Sequence, residues 1–212
     1  MKWGEFITIV SGLPVIESES LLAGVSDPAP FKVQISRWQK VGKLIQLKRG
    51  VYVLPKAYRK MEIYEPFIAA LLKKPSYISL EKALEHHSLI PEAVPIYTSV
   101  TTKRPGKIAC EIGIFDYRHI KSSLFWGYTS VTVNKQTAFI ATPEKALLDF
   151  FYLKGMRISA GLLKEMRLQN VENVNLDRLF ESAKKFKSPG ILRVAGIIKK
   201  YITTYKEEET IL

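Results

Sequence analysis

The chain has 212 residues, enough for one large domain or two small ones with a core that needs no covalent staple. Hydrophobic residues make up 47% and charged residues 25%, which excludes an intrinsically disordered chain. The 32 Lys/Arg against 20 Asp/Glu give a net charge of +12, which suits polyanionic partners such as nucleic acid or anionic lipid, while no run reaches the roughly 18 apolar residues of a membrane span.

Basic charge is concentrated at the start. Residues 1–60 hold ten Lys/Arg and four acidic residues, a net +6 that equals the excess of the remaining 152 residues. Residues 3–11 predict a short helix with Trp3, Phe6, Ile7 and Val10 on one face, stopped at Gly12-Leu13-Pro14. Glu5 and this early stop argue against a targeting segment. Residues 17–23 predict a second short helix, ended by Gly24. Ser26-Asp27-Pro28 is a start signal for a third helix that runs to about Val41 and closes at Gly42. Its period puts Phe31, Ile35, Trp38 and Gly42 on one face, with Val41 flanking. Lys32, Val33, Ser36, Arg37, Lys40 and Lys43 fall on the other. Leu44–Leu54 then reads as a hairpin whose two apolar runs flank Lys48-Arg49-Gly50, with Pro55 ending the second strand.

Two helices, a basic third helix and a basic-tipped hairpin occur in the order of a winged helix-turn-helix. The major groove of B-DNA admits one α-helix. A helix held there needs an apolar back and a cationic, polar front. Arg37 and Lys40 are the expected base-edge contacts because they are read as mid-face, and Arg can bridge guanine N7 and O6. Lys32, Lys43, Lys48 and Arg49 suit phosphates or the minor groove, and Ser36 shares the helix face. The expected partner is double-stranded DNA. Winged helices also mediate protein contacts, so an interaction module stays open.

Residues 56–64 read as a linker, followed by helices at about 65–73 and 80–87, the latter with Ser79 as N-cap. Strand-like runs occupy Val94–Thr102, Lys107–Phe115, Leu124–Asn134 and Thr137–Ala141. Thr142-Pro143-Glu144 opens a helix with Ala146, Leu147, Phe150 and Phe151 inward. Helices at about 159–168, 176–186 and 190–204 complete the chain, and the acidic run Glu207–Glu209 is expected to fray. The predicted fold class is α+β: a winged helix-turn-helix over residues 1–60, then a mixed α/β domain over 65–212 that ends in a helical segment.

Cys110 is the sole cysteine, so no internal disulfide can form, and its apolar surroundings predict burial. A reducing cytoplasm fits. His86 and His87 diverge by about 100° on a helix, with no further ligand at metal spacing. Glu111, Asp116 and Lys121 near the strands suggest a nuclease cluster, but their spacing fixes no metal. Glycine-rich phosphate loops are absent from the sequence. No cofactor, no metal and no catalytic residue are expected, and the chain reads as a non-enzyme.

Three segments resemble a known family. Trp38–Pro55, WQKVGKLIQLKRGVYVLP, resembles the N-terminal winged helix of AbiEi-type antitoxins. Ser76–Leu89, SYISLEKALEHHSL, and Ala141–Asp149, ATPEKALLD, are similar to later signatures of that family, in the same order. The resemblance covers about residues 1–155 and, more loosely, the helical remainder. It implies an operator-binding autorepressor that is also the antitoxin of a type IV toxin–antitoxin system in abortive phage infection. Its C-terminal domain then counteracts a nucleotidyltransferase-like toxin, without a stable complex. The family also includes regulators with no toxin partner. The DNA-facing positions that carry over are Lys32, Ser36, Arg37, Lys40, Lys43, Lys48 and Arg49; nothing places antitoxin residues, an operator sequence or an oligomeric state.

Overall fold

The computed structural model describes residues 1–155 and 158–210, with side chains as far as Tyr205. It is an α+β protein that divides into two compact units, one formed by Met1–Tyr64 with Val133–Gln136 and the other by the rest.

The first unit contains α1 (Trp3–Val10), β1 (Ile16–Glu17), α2 (Ser18–Leu22), α3 (Ala29–Lys40), β2 (Ile45–Lys48) and β3 (Val51–Val53). The strands form an antiparallel sheet in the order β1-β3-β2. The span 17–23 is therefore not wholly helical. Ile16 and Glu17 pair with Tyr52 and Val51 before α2 begins. A strand of two residues leaves no alternation to read.

Helix α3 is fixed at both ends by local chemistry. The Asp27 carboxylate accepts from the Ala29 N–H at 3.0 Å, and the Pro28 carbonyl already accepts from the Lys32 N–H at 3.1 Å. At the other end Gly42 is left-handed, with φ +71°. Its N–H donates to the Gln39 carbonyl (3.1 Å), and the Lys43 N–H donates to the Trp38 carbonyl (2.8 Å). This paired closure satisfies carbonyls that a helix end would otherwise leave open. The chain leaves the core there, so Val41 is 68% exposed and does not join the inner face.

Phe6, Val10, Ile16, Ile35, Trp38, Leu44, Tyr52 and Leu54 form the core of this unit, with Trp3, Ile7, Leu21 and Phe31 packed against it. Trp38 is its centre, with its ring centroid 4.6 Å from Phe6 and 5.0 Å from Trp3. Aromatic burial of this kind ties α1 to the back of α3. The Gln136 side chain accepts from the Tyr64 N–H and donates to the Glu62 carbonyl, anchoring Val133–Gln136 within the same unit.

The second unit begins with α4 (Glu65–Leu72), β4 (Ser76–Ile78), α5 (Leu80–His86), β5 (Ile96–Thr101), β6 (Gly106–Cys110) and β7 (Gly113–His119). It continues through β8 (Tyr128–Val133) and β9 (Gln136–Ala141), whose joined ends Val133 and Gln136 belong to the first unit, and then α6 (Pro143–Lys154), α7 (Ala160–Glu165), α8 (Leu176–Lys185) and α9 (Pro189–Thr210). The sheet order is β6-β7-β5-β4-β9-β8. It is mixed: β4 runs parallel to β9, β5 parallel to β7, and β4–β5 and β6–β7 antiparallel.

Strand β4 escaped the sequence pattern because all three of its residues are buried. The run 107–115 is two strands, folded at Glu111-Ile112, rather than one. Cys110 ends the edge strand β6 and is only half-buried, against the expectation of burial. Helix α9 extends to Thr210, past the end near residue 204 expected from the sequence. Helix α6 is buried on every side from Glu144 to Phe151, and α5, α8 and α9 pack around it.

Candidate nucleic-acid interface

The outward face of α3 carries Lys32, Ser36, Arg37 and Lys40, all exposed. At about 100° per residue, Ser36 and Lys40 lie near the centre of that face, and Arg37 sits on its shoulder and not mid-face as expected. Val33 belongs to the same face and is 51% exposed. An apolar residue among cations can meet a thymine methyl group. Sequence reasoning placed Val33 on this face without assigning it a contact. Among the described residues, no ion pair engages Lys32, Arg37, Lys40 or Arg49.

The hairpin beside the helix is held in place. Gln39, from the last turn of α3, donates to Gln46 of β2 at 2.8 Å. The turn proper is Arg49-Gly50, tighter than the Lys48-Arg49-Gly50 tip read from sequence, because a bulge after Gln46 brings Lys48 opposite Val51. Gly50 takes φ +78° and its carbonyl accepts from the Ser18 N–H at 2.8 Å, which docks the tip on the start of α2. Lys48 and Arg49 are exposed. Lys43 differs from the other candidates. It is half-buried beyond the helix end, and its ammonium lies 5.2 Å from the Trp3 ring centre.

The second unit holds a different use of charge, which sequence reasoning missed. Lys145 and Asp149, one turn apart on α6, form an ion pair with no exposed side-chain surface. Lys145 also donates to the Tyr77 hydroxyl at 3.0 Å. Tyr77 and Ser79 each donate to Asp149 Oδ2 at 2.9 Å. Ser79 is the N-cap residue of α5, as expected, but its hydroxyl goes to Asp149 and not to a helix N–H. The Lys145 ammonium lies 4.8 Å from the Trp126 ring centre and 5.0 Å from that of Phe186. Burial pushes the Lys145 ammonium down and the Asp149 carboxyl up, and each partner counters the shift of the other. Burial likewise lifts the Tyr77 phenol far above its usual range, with Asp149 adding to it. A lysine and an aspartate four apart are a common surface pair. Only the flanking apolar residues on both sides hinted that this pair is inside.

The remaining candidates separate. His87 Nε2 lies 2.7 Å from the Ala141 carbonyl, which ties α5 to the end of β9. His86 is held below its ordinary pKa, first by burial and then by His87. Asp116 pairs with Arg118 at 2.8 Å, while Glu111 lies in the β6–β7 turn. No group of three or more His, Cys, Asp or Glu side chains among the described residues is arranged to hold a metal ion. Among those residues, no helix is long and apolar enough to cross a membrane. No protein-family model matches the chain, and no curated protein matches its sequence.

Proposed function

We propose that the first unit is a winged helix-turn-helix that binds double-stranded DNA, and that the protein is a cytoplasmic transcriptional repressor of its own operon. The observation that carries this reading is the outer face of α3. Its cations extend from a helix whose back is locked by Trp38 and whose neighbouring hairpin is pinned through Gln39–Gln46. Lys40, with Ser36 and Val33 beside it, faces the base edges, and the long Arg37 side chain reaches them from the shoulder of the face; Lys32 contacts the backbone from the same helix, and Lys48 and Arg49 from the hairpin tip. Lys43 supports the helix end over Trp3 and reaches phosphate only by leaving that ring.

Gel shifts with the protein's own promoter test this. Salt-sensitive binding with a clear preference over random duplex is expected. Equal affinity for both duplexes at every salt concentration overturns the repressor reading.

The antitoxin reading rests on the resemblance of Ser76–Leu89 and Ala141–Asp149 to the AbiEi type. One packing observation favours it: Tyr77 and Ser79 of the first segment meet Lys145 and Asp149 of the second in one hydrogen-bonded cluster. The two signatures thus build one structural unit. In this reading the second unit counteracts a nucleotidyltransferase-like toxin and performs no catalytic step. Co-expression with such a toxin, where one is encoded alongside, is the test. The doubly substituted chain Arg37→Ala/Lys40→Ala is expected to lose operator binding and still protect cells. Loss of both together sinks the division of labour.

A further inference from the structure

Strand β7 alternates Ile114, Asp116 and Arg118 on one face of the sheet with Phe115 and Tyr117 on the other. Phe115 and Tyr117 are buried, and the Tyr117 hydroxyl donates to the Ala69 carbonyl of α4. Thr98 of β5 pairs with Asp116, so Asp116 and Arg118 share their face with Ile96 and Thr98. Over these strands, where α5 begins and α6 ends, lies a cavity of about 580 Å³. That is the size of a site for a drug-sized molecule. Its wall is aliphatic, with Leu80, Val94, Pro95, Ile96 and Leu153, and no aromatic ring lines it among the described residues. The wall is held in place. The Thr98 hydroxyl donates to the Ser79 carbonyl at 2.7 Å, and Lys82 donates to the Val94 carbonyl at 3.0 Å. Leu80 takes φ +54°, a left-handed conformation that leucine rarely adopts. Strained backbone of this kind collects at sites that hold a ligand.

Two ion pairs line this cavity, Arg118 with Asp116 on β7 and Lys154 of α6 with Glu81 of α5. Each is incomplete. Arg118 Nε and Nη2 both reach one oxygen, Asp116 Oδ2, at 3.1 and 2.8 Å. Nη1 of the guanidinium and Oδ1 of the carboxylate have no partner among the described residues. Lys154 meets Glu81 through Oε1, and Oε2 has no partner among those residues. The cavity therefore offers an open donor at one pair and an open acceptor at the other, beside a shared aliphatic wall.

We infer that this cavity binds a short zwitterionic peptide with aliphatic side chains, its carboxylate on Arg118 and its ammonium on Glu81. The lining selects this class. A plain anion meets both carboxylates and a plain cation meets both basic groups, whereas a zwitterion answers one of each. Nucleobases stack on aromatic side chains, which this wall lacks. The direction of the peptide follows from what each pair has already used. The planar Arg118 guanidinium matches a carboxylate, and its side chain is 57% exposed. The Lys154 ammonium is held between Glu81 and the Phe150 ring, whose centre is 4.6 Å away. Asp116 already accepts two N–H groups of Arg118, whereas Glu81 meets a single ammonium. The inference does not depend on DNA binding.

Titration of the full chain with leucyl-leucine, followed by calorimetry and amide NMR, tests it. A dissociation constant of about 0.1–1 mM is expected for a ligand of this size. The amide shifts are expected to centre on Thr98, Asp116 and Arg118. N-acetyl-leucyl-leucine and leucyl-leucine amide each lack one charge, and each is expected to bind about tenfold more weakly to the wild-type chain. Arg118→Gln is expected to weaken leucyl-leucine by about tenfold and to leave binding of the amide unchanged. Glu81→Gln is expected to weaken leucyl-leucine similarly and to leave binding of the N-acetyl form unchanged. Circular dichroism checks that both variants keep the fold. Absence of binding up to the solubility limit of the peptide overturns the inference. So does binding that ignores both end modifications, or shifts that map away from β5 and β7. Variants that weaken every form of the peptide equally overturn the assigned direction.

Discussion

Lys40 and Lys145 are the same residue type put to opposite uses. Lys40 stands on a helix whose apolar back is fixed by Trp38, with its ammonium in water and no ion pair among the described residues. Lys145 stands on a helix buried on all sides and is held by Asp149, Tyr77 and two further rings. A solvated cation costs little to keep and can exchange its counterions for phosphate. A buried cation is tolerated only while every partner stays in place. In the proposed reading DNA binding falls to the first kind, and the second fixes which segments of the second unit come together.

That contrast can be broken most forcefully at Asp149. Asp149→Ala strands the Lys145 charge and is expected to cost about 3–5 kcal/mol in urea denaturation of the full chain. Lys145→Met/Asp149→Leu removes both charges and is expected to restore most of that loss. If the single change costs under about 1 kcal/mol, the pair is not the constraint it is taken to be. Gly127 offers a gentler probe. It takes φ +77°, and an added Cβ meets the Lys145 side chain at 3.0 Å. Gly127→Ala is expected to cost about 1–3 kcal/mol by the same measurement.

On the outer face the effects belong to binding rather than folding. Arg37→Ala is expected to weaken promoter binding by about 1–3 kcal/mol and to relax preference at one or two positions, with unchanged melting temperature. Lys48→Ala should weaken all duplexes alike and lower the salt slope by about one. Identical profiles for the two variants erase the distinction between reading and positioning residues.

The smallest effect is a pH dependence at His86. Its folded-state pKa lies below the ordinary value, so the unfolded chain binds more protons in the window just below about pH 6.5. Stability is expected to rise with pH through that window and to fall on acidification. His86→Gln should flatten the curve; an unchanged slope assigns the effect to another group.

By itself the sequence determined the local elements that announce their own ends and faces. Helix α3 was legible because Asp27, Gly42 and the Phe31–Ile35–Trp38 period are all local signals, and the cationic face follows from the same period. The β2–β3 hairpin was legible through Gly50, and α6 through Thr142-Pro143. Tertiary structure alone decided the rest. Strands β1 and β4 are two and three residues long, too short for a period, and exist because partners distant in sequence satisfy their backbone groups. Ser79 stands at the N-cap of α5 as its local sequence says, yet Asp149, 70 residues away, claims its hydroxyl. Lys145 and Asp149 have the four-residue spacing of a common solvated pair, and only the helices and rings that close around them put them in the core. Local hydrogen bonds and periodicity are written along the chain, whereas desolvation depends on everything that folds over a residue.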